Sequence, residues 1–92
     1  MTVEETFSEP SPNYVVSSRG YAVRILGRSG LELELPGQSI RINSEMLAVP
    51  GAAVYVGSIP EVAGVSKDEI LRHVKAALNF LGLSVQFIPP SV

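Results

Sequence analysis

The sequence contains no cysteine and no tryptophan, and it has a single histidine. Without cysteine, neither a disulfide nor a thiolate metal site can support the fold or carry out chemistry. With one histidine, a zinc site would need several clustered carboxylates, and the sequence offers no such cluster. We therefore expect a protein without a metal ion or any other cofactor.

Charge and long apolar runs are also scarce. Charged residues make up 17% of the chain, and no apolar run approaches the ~18 residues that span a bilayer. The acidic N-terminus (Glu4, Glu5, Glu9) lacks the pattern of a signal peptide. From residue 10 onward, six acidic and seven basic side chains nearly cancel, which removes long-range attraction to nucleic acid. These features predict a cytoplasmic protein that binds neither membranes nor nucleic acids.

The chain divides into a short tail and one folded unit. Residues 1–13 combine prolines, serines and glutamates with few bulky apolar groups, which predicts a disordered or loosely attached acidic arm. Docking of the arm through Phe7 is the alternative. Residues 14–92 are long enough for a single modest core and too short for two, so we expect one domain there.

The stretch from Val65 to Gly82 predicts a complete helix. Ser66 is a good N-cap, and Glu69 three residues later completes a capping box. Gly82 can adopt the left-handed conformation that ends a helix. One face of the helix is apolar and must be covered by the rest of the fold. That face is formed by Ile70, Val74, Ala77, Leu78 and Leu81.

Alternation of apolar and polar residues predicts the strands. The clearest case is Leu31–Leu35, where three leucines alternate with two glutamates, followed by the turn-forming pair Pro36-Gly37. Ser44–Leu47 is compatible with one helical turn. The pattern predicts an α+β fold of two layers: an antiparallel β-meander of about five strands, one main C-terminal helix packed on one face, and a final β-strand. The other strand segments are Tyr14–Ser18, Tyr21–Leu26, Ile40–Ile42, Ala52–Val56 and Leu83–Phe87.

Four charged residues occupy the polar positions of three successive predicted strands. If the strands pair in order, opposite charges stand side by side on the open face of the sheet: Arg24, Glu32, Glu34 and Arg41. One interpretation is a set of cross-strand pairs that serves solubility and register. The other is a charged face that a partner recognises. Two solvated glutamates do not have the distinct environments that acid–base catalysis requires, so we predict no enzymatic activity.

Two further locations carry candidate functional residues. Tyr55 and Ser58 flank the longest loop of the predicted fold and could form an exposed polar patch there. His73 lies one helical turn after Glu69, and contact with that residue is one interpretation. Together with Phe80, which widens the apolar arc of the helix, His73 is also a candidate flank for a two-fold dimer.

Several short motifs stand out along the chain: Ser18-Arg19-Gly20, Ile40-Arg41-Ile42-Asn43-Ser44-Glu45, Val54-Tyr55-Val56-Gly57-Ser58-Ile59, Ile70-Leu71, Ala77-Leu78 and Gly82-Leu83-Ser84-Val85. Together they resemble the immunity protein 74 family of bacterial polymorphic toxin systems. The resemblance covers about residues 14 to 88. Where members of that family often carry a tryptophan and acidic residues, this chain has Pro60-Glu61-Val62.

The resemblance implies a non-enzymatic cytoplasmic protein that binds a cognate toxin domain and neutralises it by forming a non-covalent complex. Arg19, Glu45 and Tyr55 are the polar positions that match the family motifs. They join the charged face and Ser58 as the expected partner-binding residues. The alternative is a small homodimeric interaction or regulatory module, which would associate through the His73 and Phe80 flank or through an uncovered sheet edge.

Overall fold

The computed structural model of the protein describes residues 4–48 and 50–90. Within these ranges the chain forms one seven-stranded sheet, one α-helix and one 3-10 turn. In chain order the elements are β1 (Phe7–Ser11), β2 (Tyr14–Ser17), β3 (Ala22–Ile25), β4 (Ser29–Leu35), β5 (Gln38–Met46), β6 (Gly51–Tyr55), the 3-10 turn (Val56–Ser58), α1 (Lys67–Phe80) and β7 (Ser84–Ile88).

The strands lie in the sheet in the order in which they occur in the chain. β1 to β6 form an antiparallel meander, and α1 then crosses over so that β7 pairs parallel with β6. The predicted α+β class with one helix is confirmed, but the prediction of about five meander strands is wrong because the meander has six. No helix of the described chain is long and apolar enough to cross a membrane.

The additional strand comes from the segment that the sequence assigned to a loose arm. In β1, Phe7 pairs with Ser17 and Ser8 pairs with Val16 of the neighbouring strand. Backbone hydrogen bonds need no particular side chains, so a segment rich in serine, glutamate and proline can still pair. Residues 7–11 therefore form a paired strand and not a loose arm, and Phe7 packs on Phe80, in line with the docking alternative. The first three residues of the predicted arm lie outside the described part of the chain.

One face of the sheet and one face of the helix form the core. Leu31 and Leu33 are fully buried, and they pair with Ile42 and Ile40 of the next strand. Burial of each such side chain contributes about 1.5–3 kcal/mol to folding. The predicted apolar face of α1 covers them, since Ile70, Val74, Ala77 and Leu78 are fully buried and Leu81 packs beside them.

The prediction of a helical turn over Ser44–Leu47 is wrong, because β5 continues through Met46. Its register against β4 shifts by one residue between the pairs Leu31–Ile42 and Ser29–Glu45, which marks a β-bulge. The alternation of β5 continues through the bulge, with Ser44 buried opposite Val54 and Glu45 exposed on the open face.

The ends of α1 follow the sequence closely. The Ser66 hydroxyl accepts a hydrogen bond from the Glu69 amide at 3.1 Å, as predicted for the N-cap. At the other end Gly82 has φ of +83°. Its amide donates to the Asn79 carbonyl, and the Leu83 amide donates to the Leu78 carbonyl. This pair of bonds is a Schellman motif, which satisfies carbonyls that the helix itself leaves unpaired.

Candidate functional site

The open face of the sheet is the side away from α1, and it displays the predicted charges in register. Tyr14 pairs with Arg24, Arg24 pairs with Glu32, and Glu32 pairs with Arg41. The four residues therefore form one transverse row across β2, β3, β4 and β5, which we call the charged row. The side-by-side arrangement of Arg24, Glu32 and Arg41 confirms the predicted pairing order.

One end of the charged row is held by contacts among three side chains. The Arg24 guanidinium lies 4.1 Å from the centre of the Tyr14 ring, which is a cation–π contact. The Tyr14 hydroxyl donates to Glu34 Oε1 at 2.8 Å, and Arg24 Nη2 lies 3.9 Å from Glu34 Oε2. The hydrogen bond to Glu34 raises the pKa of Tyr14. These contacts reduce the rotamer freedom that a partner would otherwise have to restrict on binding.

The other end of the row opens into a shallow cavity of about 470 Å³. There the Tyr55 hydroxyl donates to Glu45 Oε2 at 3.1 Å, and this hydrogen bond raises the pKa of Tyr55. In the described chain, Arg41 makes no ion pair within 4 Å, although it stands opposite Glu32. Its charge is therefore presented to solvent beside the cavity. The cavity is lined by Ser29, Gly30, Arg41, Asn43, Ser44, Glu45 and Tyr55.

Ser58 and Arg19, both expected to bind the partner, have other surroundings. The Ser58 hydroxyl donates to the Tyr55 carbonyl at 2.6 Å and accepts from the Asn43 amide at 2.9 Å, so it joins the 3-10 turn to β5. Arg19 lies in the turn between β2 and β3, away from the charged row, and its amide donates to Ser17 Oγ at 3.0 Å. The structure thus brings together Arg24, Glu32, Glu34, Arg41, Glu45 and Tyr55, with Ser58 behind them, and leaves Arg19 apart.

The dimer flank predicted on α1 contacts the chain's own residues. The His73 ring stacks on Tyr21 with centroids 3.9 Å apart, and its Nε2 lies 3.9 Å from Glu69 Oε2, as one interpretation of the sequence expected. Phe80 packs against Phe7 at 5.4 Å between ring centroids and is 47% exposed. Association through this flank stays a prediction.

A partly buried polar cluster that no sequence pattern indicated lies beneath the flank. The Ser17 hydroxyl donates to the Glu5 carboxylate, and the Tyr21 hydroxyl is buried close by. Among the described residues the Tyr21 hydroxyl has no hydrogen-bond partner of good geometry. Burial, with the Glu5 carboxylate next to it, raises the pKa of Tyr21. Burial also lowers the pKa of His73, against the opposing effect of Glu69.

Two residues of the open face, Tyr14 and Asn43, were not among the candidate residues expected from the sequence. Tyr14 joins the charged row because it pairs with Arg24 across β2 and β3. Asn43 reaches the cavity because it alternates onto the same face of β5 as Arg41 and Glu45. Within the described residues, no group of three or more histidine, aspartate or glutamate side chains is close enough to hold a metal ion.

Comparison with known proteins finds no match: no family model fits the chain, and no curated protein and no solved structure is similar to it. The open face is therefore interpreted from its own geometry and from the sequence motifs.

Proposed function

We propose that this chain is an immunity protein that binds a cognate bacterial toxin domain in the cytoplasm and neutralises it by forming a non-covalent complex. The observation that carries the proposal is the open face of the sheet, which presents the charged row and the adjoining cavity on a single surface. The choice of a toxin domain as the partner comes from the short sequence motifs that resemble the immunity protein 74 family.

The size of the face fits such a complex. The molecule measures 41 × 31 × 24 Å along its principal axes, so the broad side of the sheet offers more than the ~800 Å² that each partner contributes to a standard interface. The helix packs behind the sheet, and the interlocked core holds the face in one shape. A preformed face lowers the cost of ordering on binding.

The residue types on the face also fit. Tyrosine and arginine are enriched among the residues that dominate binding energy, and Tyr14, Arg24, Arg41 and Tyr55 all lie here. Both signs of charge are present, with Glu32, Glu34 and Glu45 between and beside the basic groups. Such a pattern selects a partner whose charges are complementary and disfavours others.

The test is a binding titration against the C-terminal domain of the protein encoded immediately upstream. We expect one-to-one binding that abolishes the toxicity of that domain. Arg41→Glu, at the end of the charged row beside the cavity, should weaken binding by about 30-fold or more, the loss typical of a dominant interface residue. Lys67→Glu makes the same charge change on an exposed residue of α1 and is the matched control.

A double charge swap, Glu32→Arg with Arg41→Glu, separates binding from folding. It keeps opposite charges paired across β4 and β5, brings a second arginine opposite Arg24 of β3, and reverses the pattern presented to a partner. We expect a loss of stability of about 1 kcal/mol or less from the two facing arginines, and a large loss of affinity. Equal binding by the swap variant and the parent would refute a role for the charged row.

The alternative function is a homodimeric interaction module that uses the His73 and Phe80 flank. Charge reversal at Glu32 and Glu34 distinguishes the two functions. It should weaken a toxin complex formed on the open face and leave a dimer formed on the helix flank intact.

A further inference from the structure

The two edges of the sheet differ in how well they resist pairing with another strand. The outer edge of β1 carries Glu9 and Pro10, and its register is irregular between Ser8 and Ser11. Charge, proline and irregular register all discourage edge-to-edge association. β7 forms the opposite edge, and its sequence from Ser84 to Ile88 contains neither a charge nor a proline. Along the described chain no strand pairs with its outer side.

The backbone of β7 has hydrogen-bonding groups available on that outer side. The Ser84 amide donates to the Pro50 carbonyl, on the side of β6, at 3.2 Å. Successive residues of a strand direct their amide and carbonyl groups to opposite sides, so Val85 and Phe87 direct theirs outward. These two residues are placed symmetrically about Gln86. In an antiparallel pair of β7 strands, Val85 of each copy can therefore exchange two backbone hydrogen bonds with Phe87 of the other copy.

A groove along the same edge lies between β7 and α1, with a volume of about 390 Å³. Leu71 and Phe87 provide its half-buried apolar part. Its charged groups are of both signs: Asp68 is acidic, and Arg72 and Lys75 are basic. In a two-fold contact the same patch lies on both sides of the interface. Every ion pair across it therefore joins an acidic residue of one copy to a basic residue of the other, and the patch must contain both signs of charge, as this one does.

We propose that the outer edge of β7 is a self-association surface, on which two copies pair their β7 strands antiparallel about a two-fold axis through Gln86. The two sheets then form one continuous sheet. On the helix side Val85 faces Phe87 of the second copy, and on the open side the two Gln86 side chains face each other. This surface is separate from the charged row, and the proposal does not depend on toxin binding.

The contact is small, because each copy contributes one short strand and one flank of a helix. Such areas lie at the low end of specific interfaces, below about 1,200 Å² in total. We therefore expect a dissociation constant on the order of micromolar rather than nanomolar. Sedimentation velocity of the full chain alone, from micromolar to near-millimolar concentration, should show a reversible change from monomer to dimer.

Gln86→Lys tests the position of the axis. Gln86 is exposed on the open face, so the substitution leaves the core of the monomer unchanged. In the dimer it places two lysines directly opposite each other, which should weaken association by about tenfold or more. Ser8→Lys introduces the same charge at an exposed position of β1, on the other edge, and should dimerise like the parent chain.

Complementation makes the test specific to a two-fold contact at this residue. Gln86→Glu alone should also weaken association, whereas a mixture of the Gln86→Lys and Gln86→Glu chains should recover it, because opposite charges then face each other across the axis. A chain that stays monomeric at every concentration would overturn the proposal. So would a dimer that both Gln86 variants leave unchanged, or one weakened by Ser8→Lys alone.

Discussion

The contact between Phe7 and Phe80 decides whether the N-terminal strand is an integral part of the domain. Phe7 is half-buried, and its ring packs on that of Phe80 at 5.4 Å with an interplanar angle of 35°. Truncation of a fully buried phenylalanine costs about 3–5 kcal/mol. Partial burial reduces this figure, so we expect Phe7→Ala to lower the free energy of unfolding by about 2 kcal/mol. Phe80 is 47% exposed, and Phe80→Ala should cost less.

A double-mutant cycle isolates the contact between the two rings. Tilted aromatic pairs contribute about 0.5–1.5 kcal/mol beyond the area that they bury. The double variant should therefore be more stable than the sum of the two single losses predicts, by about 1 kcal/mol. Urea denaturation followed by circular dichroism gives the change in the free energy of unfolding for the two single variants and the double variant. Hydrogen exchange of the β1 amides shows whether the strand detaches. A coupling energy within about 0.3 kcal/mol of zero would refute the reasoning.

Two other predictions concern the helix. Gly82→Ala should lower the free energy of unfolding by about 1 kcal/mol, because residue 82 has a φ of +83°, which alanine adopts only with strain. Thermal unfolding measures the loss. Gly57→Ala is unsuitable as a control, since a Cβ at residue 57 would lie 3.0 Å from Pro90 Cβ. Burial holds the pKa of folded His73 below its unfolded value, so the unfolded chain binds the proton first and stability falls as the pH drops below about 6.5. His73→Gln should flatten the dependence of the free energy of unfolding on pH in that range. An unchanged slope would contradict the claim that His73 causes the loss of stability.

At lower pH a second group contributes to the same loss. Burial raises the pKa of the Glu5 carboxyl, but the hydrogen bond from Ser17, the nearby Tyr21 hydroxyl and the charges of Arg19 and His73 together outweigh burial and leave the pKa below its ordinary value. The stability that Glu5 adds is thus present above the unfolded pKa and is lost as the pH falls through the folded one. Ser17→Ala removes the hydrogen bond that lowers the pKa of Glu5 in the folded chain. The stability that Glu5 adds should then be lost at a higher pH than in the parent chain.

The helix and the central strands could be predicted because their signals are local. Ser66 and Gly82 mark the ends of α1 within one turn of the residues they cap. The alternation over Leu31–Leu35 is complete within five residues and separates the core face from the open face. Each of these features depends only on residues that are close together in the sequence, so the sequence is enough to predict it.

β1 and the bulge in β5 could not be predicted, because both depend on distant partners. β1 pairs through its backbone, and its apolar anchor Phe7 contacts Phe80 near the other end of the chain. Ser44 takes a buried place opposite Val54 only after β6 has been positioned. The same distinction applies to the site. The order of Arg24, Glu32 and Arg41 follows from the pairing of strands that are neighbours in the sequence, whereas the cavity also needs β6 to bring Tyr55 beside β5.

The most direct test of the central claim is a map of the surface that the cognate toxin domain contacts. Amide chemical shifts of the labelled chain, recorded during titration with that domain, report the contact residue by residue. The proposed function predicts the largest changes at Arg24, Glu32, Arg41 and Glu45 on the open face. Changes confined to α1, for example at Lys67, Asp68 and Arg72, with the open face unaffected, would contradict it.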